Sequence, residues 1–238
     1  MARLFDLVVQ GGPVMIPLVG LSVVTLACAL DRAQFWYRLL KQEDRIVHDV
    51  LDAARYDLDE AASIAARAQG LPIGRFLLAP LRLNQPTPET FRLAMEGVGD
   101  REFAKMRRGD KFLESVVGIA PLLGLLGTVT GLIRTFANIN IGGGGASAGT
   151  TEAAKGIGEA LISTAAGMLV AILALAIFRV LVTLQANQED YFSDVGNELE
   201  LIYRQVWYEP LMHSRSQAMS MDTSDLETER RPLPAVER

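Results

Sequence analysis

Cysteine occurs once, as Cys28, and histidine twice, as His48 and His213. A single thiol excludes an internal disulfide and any cysteine-rich zinc or iron–sulfur site. Two histidines leave little material for a haem or a histidine metal cluster, so no cofactor or metal is expected. A surplus of positive charge is also missing, with 23 Lys and Arg against 28 Asp and Glu and a formal charge of -5. A nucleic-acid partner needs a basic face to neutralise phosphates, and that class is excluded as well. Charge is sparse overall: 21% of the 238 residues are charged and 50% are apolar. The mean hydropathy of +0.21 is unusual for a water-soluble domain and directs attention to long uncharged runs.

Three such runs are present, at 14–30 (seventeen residues), 116–133 (eighteen) and 160–178 (nineteen). A helix needs about 20 residues to cross a hydrocarbon core roughly 30 Å thick, and each run reaches that length with its flanks. None carries the polar stripe of a helix buried in a water-soluble core. The pattern predicts an all-α membrane protein with three transmembrane helices. The first run reads as a retained span rather than a cleaved signal. Arg3 is the only cation ahead of it, and Asp31-Arg32 stands where small residues would precede a cleavage point. Thr25-Leu26-Ala27-Cys28 is a poor lipoprotein box.

Cations set the expected orientation. Residues 38–111 contain thirteen Lys or Arg, whereas 136–156 contain only Lys155 and the segment before the first span only Arg3. The N-terminus is therefore expected outside and the C-terminus in the cytoplasm, with Phe35, Trp36 and Tyr37 as an aromatic belt at the inner interface. The expected organisation is an outer segment (1–12), transmembrane helix 1 (13–37), a cytoplasmic helical region (38–111) and transmembrane helix 2 (112–136). An outer loop (137–156), transmembrane helix 3 (157–181), a cytoplasmic helix (182–208) and a disordered tail (209–238) follow. In the cytoplasmic region, Gly70-Leu71-Pro72 and Gln85-Pro86-Thr87-Pro88 punctuate helices. From Glu89 a helical pattern runs into the second span without a proline. Gly142-Gly143-Gly144-Gly145 lacks the following Lys-Ser or Lys-Thr of a phosphate loop and reads as an outer linker.

Hydrocarbon penalises unpaired polar groups, so polar residues inside the runs are the candidates for function. Ser22 and Thr25 lie in the first, Thr128 and Thr130 in the second, Ser163 and Thr164 in the third. With the second run centred near Leu125, Thr128 lies about 4–5 Å toward the outside; with the third centred near Met168, Thr164 lies about 6 Å toward the same side. Pro121, Gly124, Thr128 and Gly131 share one helical face, and Ala160, Thr164, Gly167, Ala171 and Ala174 share another. Facing stripes of small residues let two backbones approach closely. Two readings stand side by side: the hydroxyls line a path at one level, or each bonds a carbonyl of its own helix within a packing seam. Glu159, at the outer start of the third span, suits either a helix N-terminal role or ion handling. No Asp, Glu, Lys, Arg or His lies within any of the three runs. Proton relays through membranes rely on such groups, so a conducting role would need a titrating group from another polypeptide.

Three stretches carry a resemblance: Gly11-Gly12-Pro13-Val14-Met15-Ile16-Pro17-Leu18, 120–129 (Ala-Pro-Leu-Leu-Gly-Leu-Leu-Gly-Thr-Val), and Gly158-Glu159-Ala160-Leu161 with Ser163-Thr164-Ala165. Together they resemble the MotA/TolQ/ExbB proton-channel family, the opening most of all its ExbB branch. The resemblance implies a homopentameric ring in the bacterial inner membrane around the helices of a single-span ExbD- or TolR-like partner, which supplies a titratable aspartate. It implies proton flow past Thr128, Thr164 and Glu159, with Pro121, Gly124, Gly131, Ala160 and Gly167 packing near the pore. Work would pass across the envelope through a TonB-like or TolA-like protein. Three spans depart from the four of MotA. A TolQ-like subunit and a non-conducting membrane scaffold remain alternatives. An enzyme is not expected, because no His-Glu-x-x-His, Gly-x-Ser-x-Gly or intramembrane aspartate pair is present.

Overall fold

A computed structural model describes residues 11–141, 146–214 and Gln217, with side chains for 11–137, 153–214 and Gln217. The first ten residues, the tetraglycine stretch and, Gln217 aside, the tail beyond Ser214 lie outside the described residues. The regular structure among the described residues is helical: α1 (Met15–Ala54), α2 (Leu58–Arg67), α3 (Pro72–Leu81), α4 (Pro88–Met106), α5 (Asp110–Ile141) and α6 (Ala146–Ile202). A π-helical segment, Tyr203–Tyr208, follows α6. Among the described residues, three stretches are long and apolar enough to cross a membrane: Met15–Ala54, Pro88–Ala137 and Ala153–Ser214.

Local chemistry sets the boundaries. Gly12 has φ +75°, a left-handed turn that glycine adopts without steric cost, and its carbonyl accepts from the Met15 N–H at 3.0 Å as α1 begins. Asp57 caps α2, its Oδ1 accepting from the backbone N–H of Asp59 at 2.8 Å and of Glu60 at 3.2 Å. Pro72 and Pro88 open α3 and α4, where a missing N–H leaves no bond unmade. The expectation of one helix from Glu89 into the second span is corrected at Gly109. That residue has φ +97° and separates α4 from α5. A second correction concerns 209–214, which are helical rather than disordered. The helices also outrun the apolar runs, α5 reaching Ile141 and α6 starting at Ala146.

The chain divides into two compact units, Met1–Arg38 with Ala104–Asn187 and Leu39–Phe103 with Gln188–Arg238. In the first, Met15, Leu18, Val116, Ala120, Ala171 and Ala174 form the buried core. Around it Val23, Leu122, Ile133, Leu161 and Ile172 each expose more than 60% of their surface. A belt of exposed aliphatic side chains on this scale is untenable in water and ordinary in lipid.

In the second unit, aromatic rings supply much of the core. Phe192 lies 4.8 Å from Phe76 and 5.2 Å from Phe103 between ring centroids. Arg75 holds the buried Glu102 through two bonds of 2.9 and 2.6 Å, and also donates to the Gln69 carbonyl. Glu43 is 4% exposed and accepts from Gln188 Nε2 at 2.7 Å. Burial pushes its carboxyl up from 4.5 to about 7, the Gln188 bond opposing the rise and Asp44 adding to it. Tyr191 donates to Asp44 at 2.9 Å, and burial followed by that carboxylate pushes its hydroxyl up as well.

Candidate functional site

The α5–α6 seam of the first unit is built from residues too small to keep the helices apart. A Cβ added at Gly124 would lie 3.0 Å from both the Ser163 carbonyl oxygen and Thr164 Cα. One added at Gly167 would lie 2.6 Å from the Ala120 carbonyl oxygen and 2.9 Å from Gly124 Cα. Further along, Gly131 faces Ala160 at 3.0 Å, Gly127 faces the Ser163 side chain and Gly156 faces Thr135. The contacts run antiparallel, at steps of three and four on each helix. That is the spacing of one helical face, and such approach lets van der Waals packing and interhelical bonds replace the hydrophobic drive that lipid removes.

The hydroxyls divide into two kinds. Thr164 Oγ1 donates across the seam to the Gly124 carbonyl at 2.9 Å. Ser163 is fully buried and donates to the Ala160 carbonyl at 2.8 Å, with a longer 3.4 Å contact to the same Gly124 oxygen. Thr128, Thr130 and Thr135 instead bond back to their own helix, Thr128 to the Leu125 carbonyl at 2.7 Å and Thr135 to Gly131 at 2.9 Å. Thr128 is half-buried on α5, one turn beyond Gly124. Thr164, Gly124 and Gly167 thus meet, as do Gly131 and Ala160, while no bond joins Thr128 to Thr164. Pro121 is half-buried beside Ala120, within α5.

Glu159 does not cap a helix, because α6 begins well before it at Ala146. It lines a cavity of about 180 Å³ together with Arg134, Lys155, Thr130, Thr135 and the backbone of Gly11 and Gly12. Both ingredients of ion handling that a carboxylate requires, a cavity and neighbouring cations, are in this one place. Ser163 stood among the polar residues of the third run with no contact assigned to it, and Arg134 was given no role. The Ser163 contact was legible as the pairing with Gly127 once 124, 127 and 131 are taken as one glycine face. Arg134 follows the apolar run, where a cation ordinarily signals only the end of a span. No group of His, Cys, Asp and Glu able to hold a metal occurs among the described residues.

The middle of the seam therefore offers packed backbone and hydroxyls, with charge at the ends: Glu159, Arg134 and Lys155 at one, and Asp110, bonded by Gln185 at 2.9 Å, at the other. The MotA/TolQ/ExbB proton channel family matches residues 68–194, from just before α3 to well into α6. The chain belongs to that family. Its ExbB-type character shows in the relatives. The biopolymer transport protein ExbB-like 1 of Synechocystis sp. is 67% identical over 208 residues, covering 87% of this chain and 82% of the relative. ExbB of Salmonella typhimurium is 28% identical over 207 residues, covering 79% and 80%. TolQ of Haemophilus influenzae is 31% identical over 131 residues, 54% of each chain. As a member of the MotA/TolQ/ExbB family with three long apolar helices, the chain is a multi-pass membrane protein of the ExbB/TolQ channel type.

Proposed function

We propose that this chain is the proton-channel subunit of an ExbB–ExbD-type motor, which uses the proton motive force to energise outer-membrane transport through a TonB-like protein. The observation that carries the proposal is the chemistry of the spans: hydroxyls at the seam and no titratable side chain within any apolar run. A carboxylate or histidine is what relays a proton through hydrocarbon, so the path is completed by a carboxyl from a single-span ExbD- or TolR-like partner. Five copies form a ring in the bacterial inner membrane that encloses the partner helices. The N-terminus lies outside and the C-terminus in the cytoplasm, following the cation count.

Within the ring, Thr128 and Thr164 present hydroxyls to the partner carboxyl, and Glu159 stands at the outer mouth beside Arg134 and Lys155. Thr128 bonds its own helix through its proton, which leaves oxygen lone pairs to accept from a protonated acid. Pro121, Gly124, Gly131, Ala160 and Gly167 keep α5 and α6 close enough for the two hydroxyl-bearing faces to border one lumen. Lipid covers the exposed aliphatic belt. The TolQ-like alternative keeps the same ring and differs in the protein it drives. The match to Salmonella typhimurium ExbB over 79% of this chain, against 54% for TolQ, favours the ExbB assignment.

Native mass spectrometry of the complex purified from membranes tests the assembly. A ring of five copies holding a one-span acidic partner is expected. A monomer, or a ring that never captures such a partner, would return the chain to the scaffold class.

A further inference from the structure

The second unit carries an aromatic groove that the channel reading does not use. After α6 the helix widens over Tyr203–Tyr208 into i→i+5 turns, a rare geometry that recurs at functional sites. The wider turn sets Tyr203 and Tyr208 on one side, ring centroids 6.4 Å apart, and Tyr203 stacks on Phe91 at 4.3 Å and 11°. Two bonds hold this wall in place. Tyr203 Oη donates to the Pro86 carbonyl at 2.6 Å, and Trp207 Nε1 donates to the Ala54 carbonyl at 2.8 Å. The rings border a groove of about 430 Å³ whose rim includes Leu83, Leu211 and Met212, with Asp57 and Asp59 at its edge. All three apolar rim residues are exposed, in a region that the cation count places in water rather than in lipid.

The chain itself holds a segment of matching chemistry. Residues 230–236 read Arg-Arg-Pro-Leu-Pro-Ala-Val and lie outside the described residues. Two successive X-Pro pairs bias a backbone toward the extended polyproline conformation, and aromatic-lined grooves take up such ridges at low entropic cost. Arg230 and Arg231 complement Asp57 and Asp59. The preceding stretch, with Asp222, Asp225, Glu227 and Glu229, has the wrong sign for that edge. Reach is no obstacle. Fifteen residues lie between Ser214 and Arg230, enough to span about 50 Å if extended, and the groove wall ends at Met212.

The geometry points to residues 230–236 of the same chain docking in this groove, the prolines against Trp207 and Tyr208 and the arginines against Asp57 and Asp59. The test uses the full-length protein in lipid nanodiscs, with nitroxides at Gln205→Cys and Glu237→Cys in a Cys28→Ser background, read by double electron–electron resonance. A short, narrow distance is expected, unchanged when labelled protein is assembled with an excess of unlabelled protein. Arg230→Glu/Arg231→Glu and Pro232→Gly/Pro234→Gly, which alter only the tail and leave the groove intact, should each abolish the short-distance population. A broad distribution in the unaltered tail overturns the inference, as does a short distance that dilution removes (a neighbour's tail) or that survives both tail variants.

Discussion

Glu43 shows what a single side chain contributes to the second unit. Its carboxyl is buried against Gln188 and titrates near 7 rather than 4.5. Between those values the folded protein holds this proton more tightly than the unfolded chain does. The Glu43 contribution is therefore fullest below about pH 4.5 and is lost as pH rises through about 7. Glu43→Gln keeps a side chain able to bond Gln188 and removes the titration. Thermal unfolding across pH 4.5–8 should show the unaltered protein losing stability relative to Glu43→Gln as pH rises, and parallel curves would refute the assignment. This coupling was not legible in the sequence, because Glu43 and Gln188 stand 145 positions apart and neither lies in a motif. Thr164 and Gly124 were easier to see, since both fall on stripes of small residues whose spacing is that of a helix face. The acceptor of each hydroxyl was not legible. A threonine in a helix can bond backward or across, and only the approach of a second backbone decides which.

At the scale of the element, the α5–α6 seam stands on glycines that leave no room for a side chain. Gly167→Leu would drive a side chain into the Ala120 carbonyl and Gly124, and overpacking of this kind costs about 1–3 kcal/mol. Gly118, with nothing within 4 Å of an added Cβ, is the control: Gly118→Leu, the same side chain added where space is open, should not lower stability. Unfolding in mixed micelles at increasing SDS separates the two, and equal midpoints would mean that the seam is not tightly packed. The three long apolar helices were legible because hydropathy over about 20 residues is a strong signal. Helix ends were less so. The break at Gly109 sits among Arg107, Arg108 and Asp110, where a charged helical pattern continues on both sides and only the positive φ shows the interruption. The π-helical segment had no signal at all, since its aromatic spacing fits an α-helix nearly as well.

For the whole molecule, the central claim is a division of labour: this chain supplies a close-packed, hydroxyl-bearing wall, and another chain supplies the acid. Composition made half of that claim legible, because the absence of titratable residues from the apolar runs can be read directly. Family membership adds the channel type. The proposed ring and its proposed occupant concern surfaces that one chain does not pair with itself. Proton flux into liposomes bearing a pH-sensitive dye, driven by a potassium diffusion potential, tests the division most directly. The chain alone should be silent, and reconstitution with its single-span acidic partner should give flux. Thr128→Val/Thr164→Val in the same assembled complex should lower that flux at least tenfold. Flux from the chain alone, or undiminished flux from an assembled complex lacking both hydroxyls, would contradict the account.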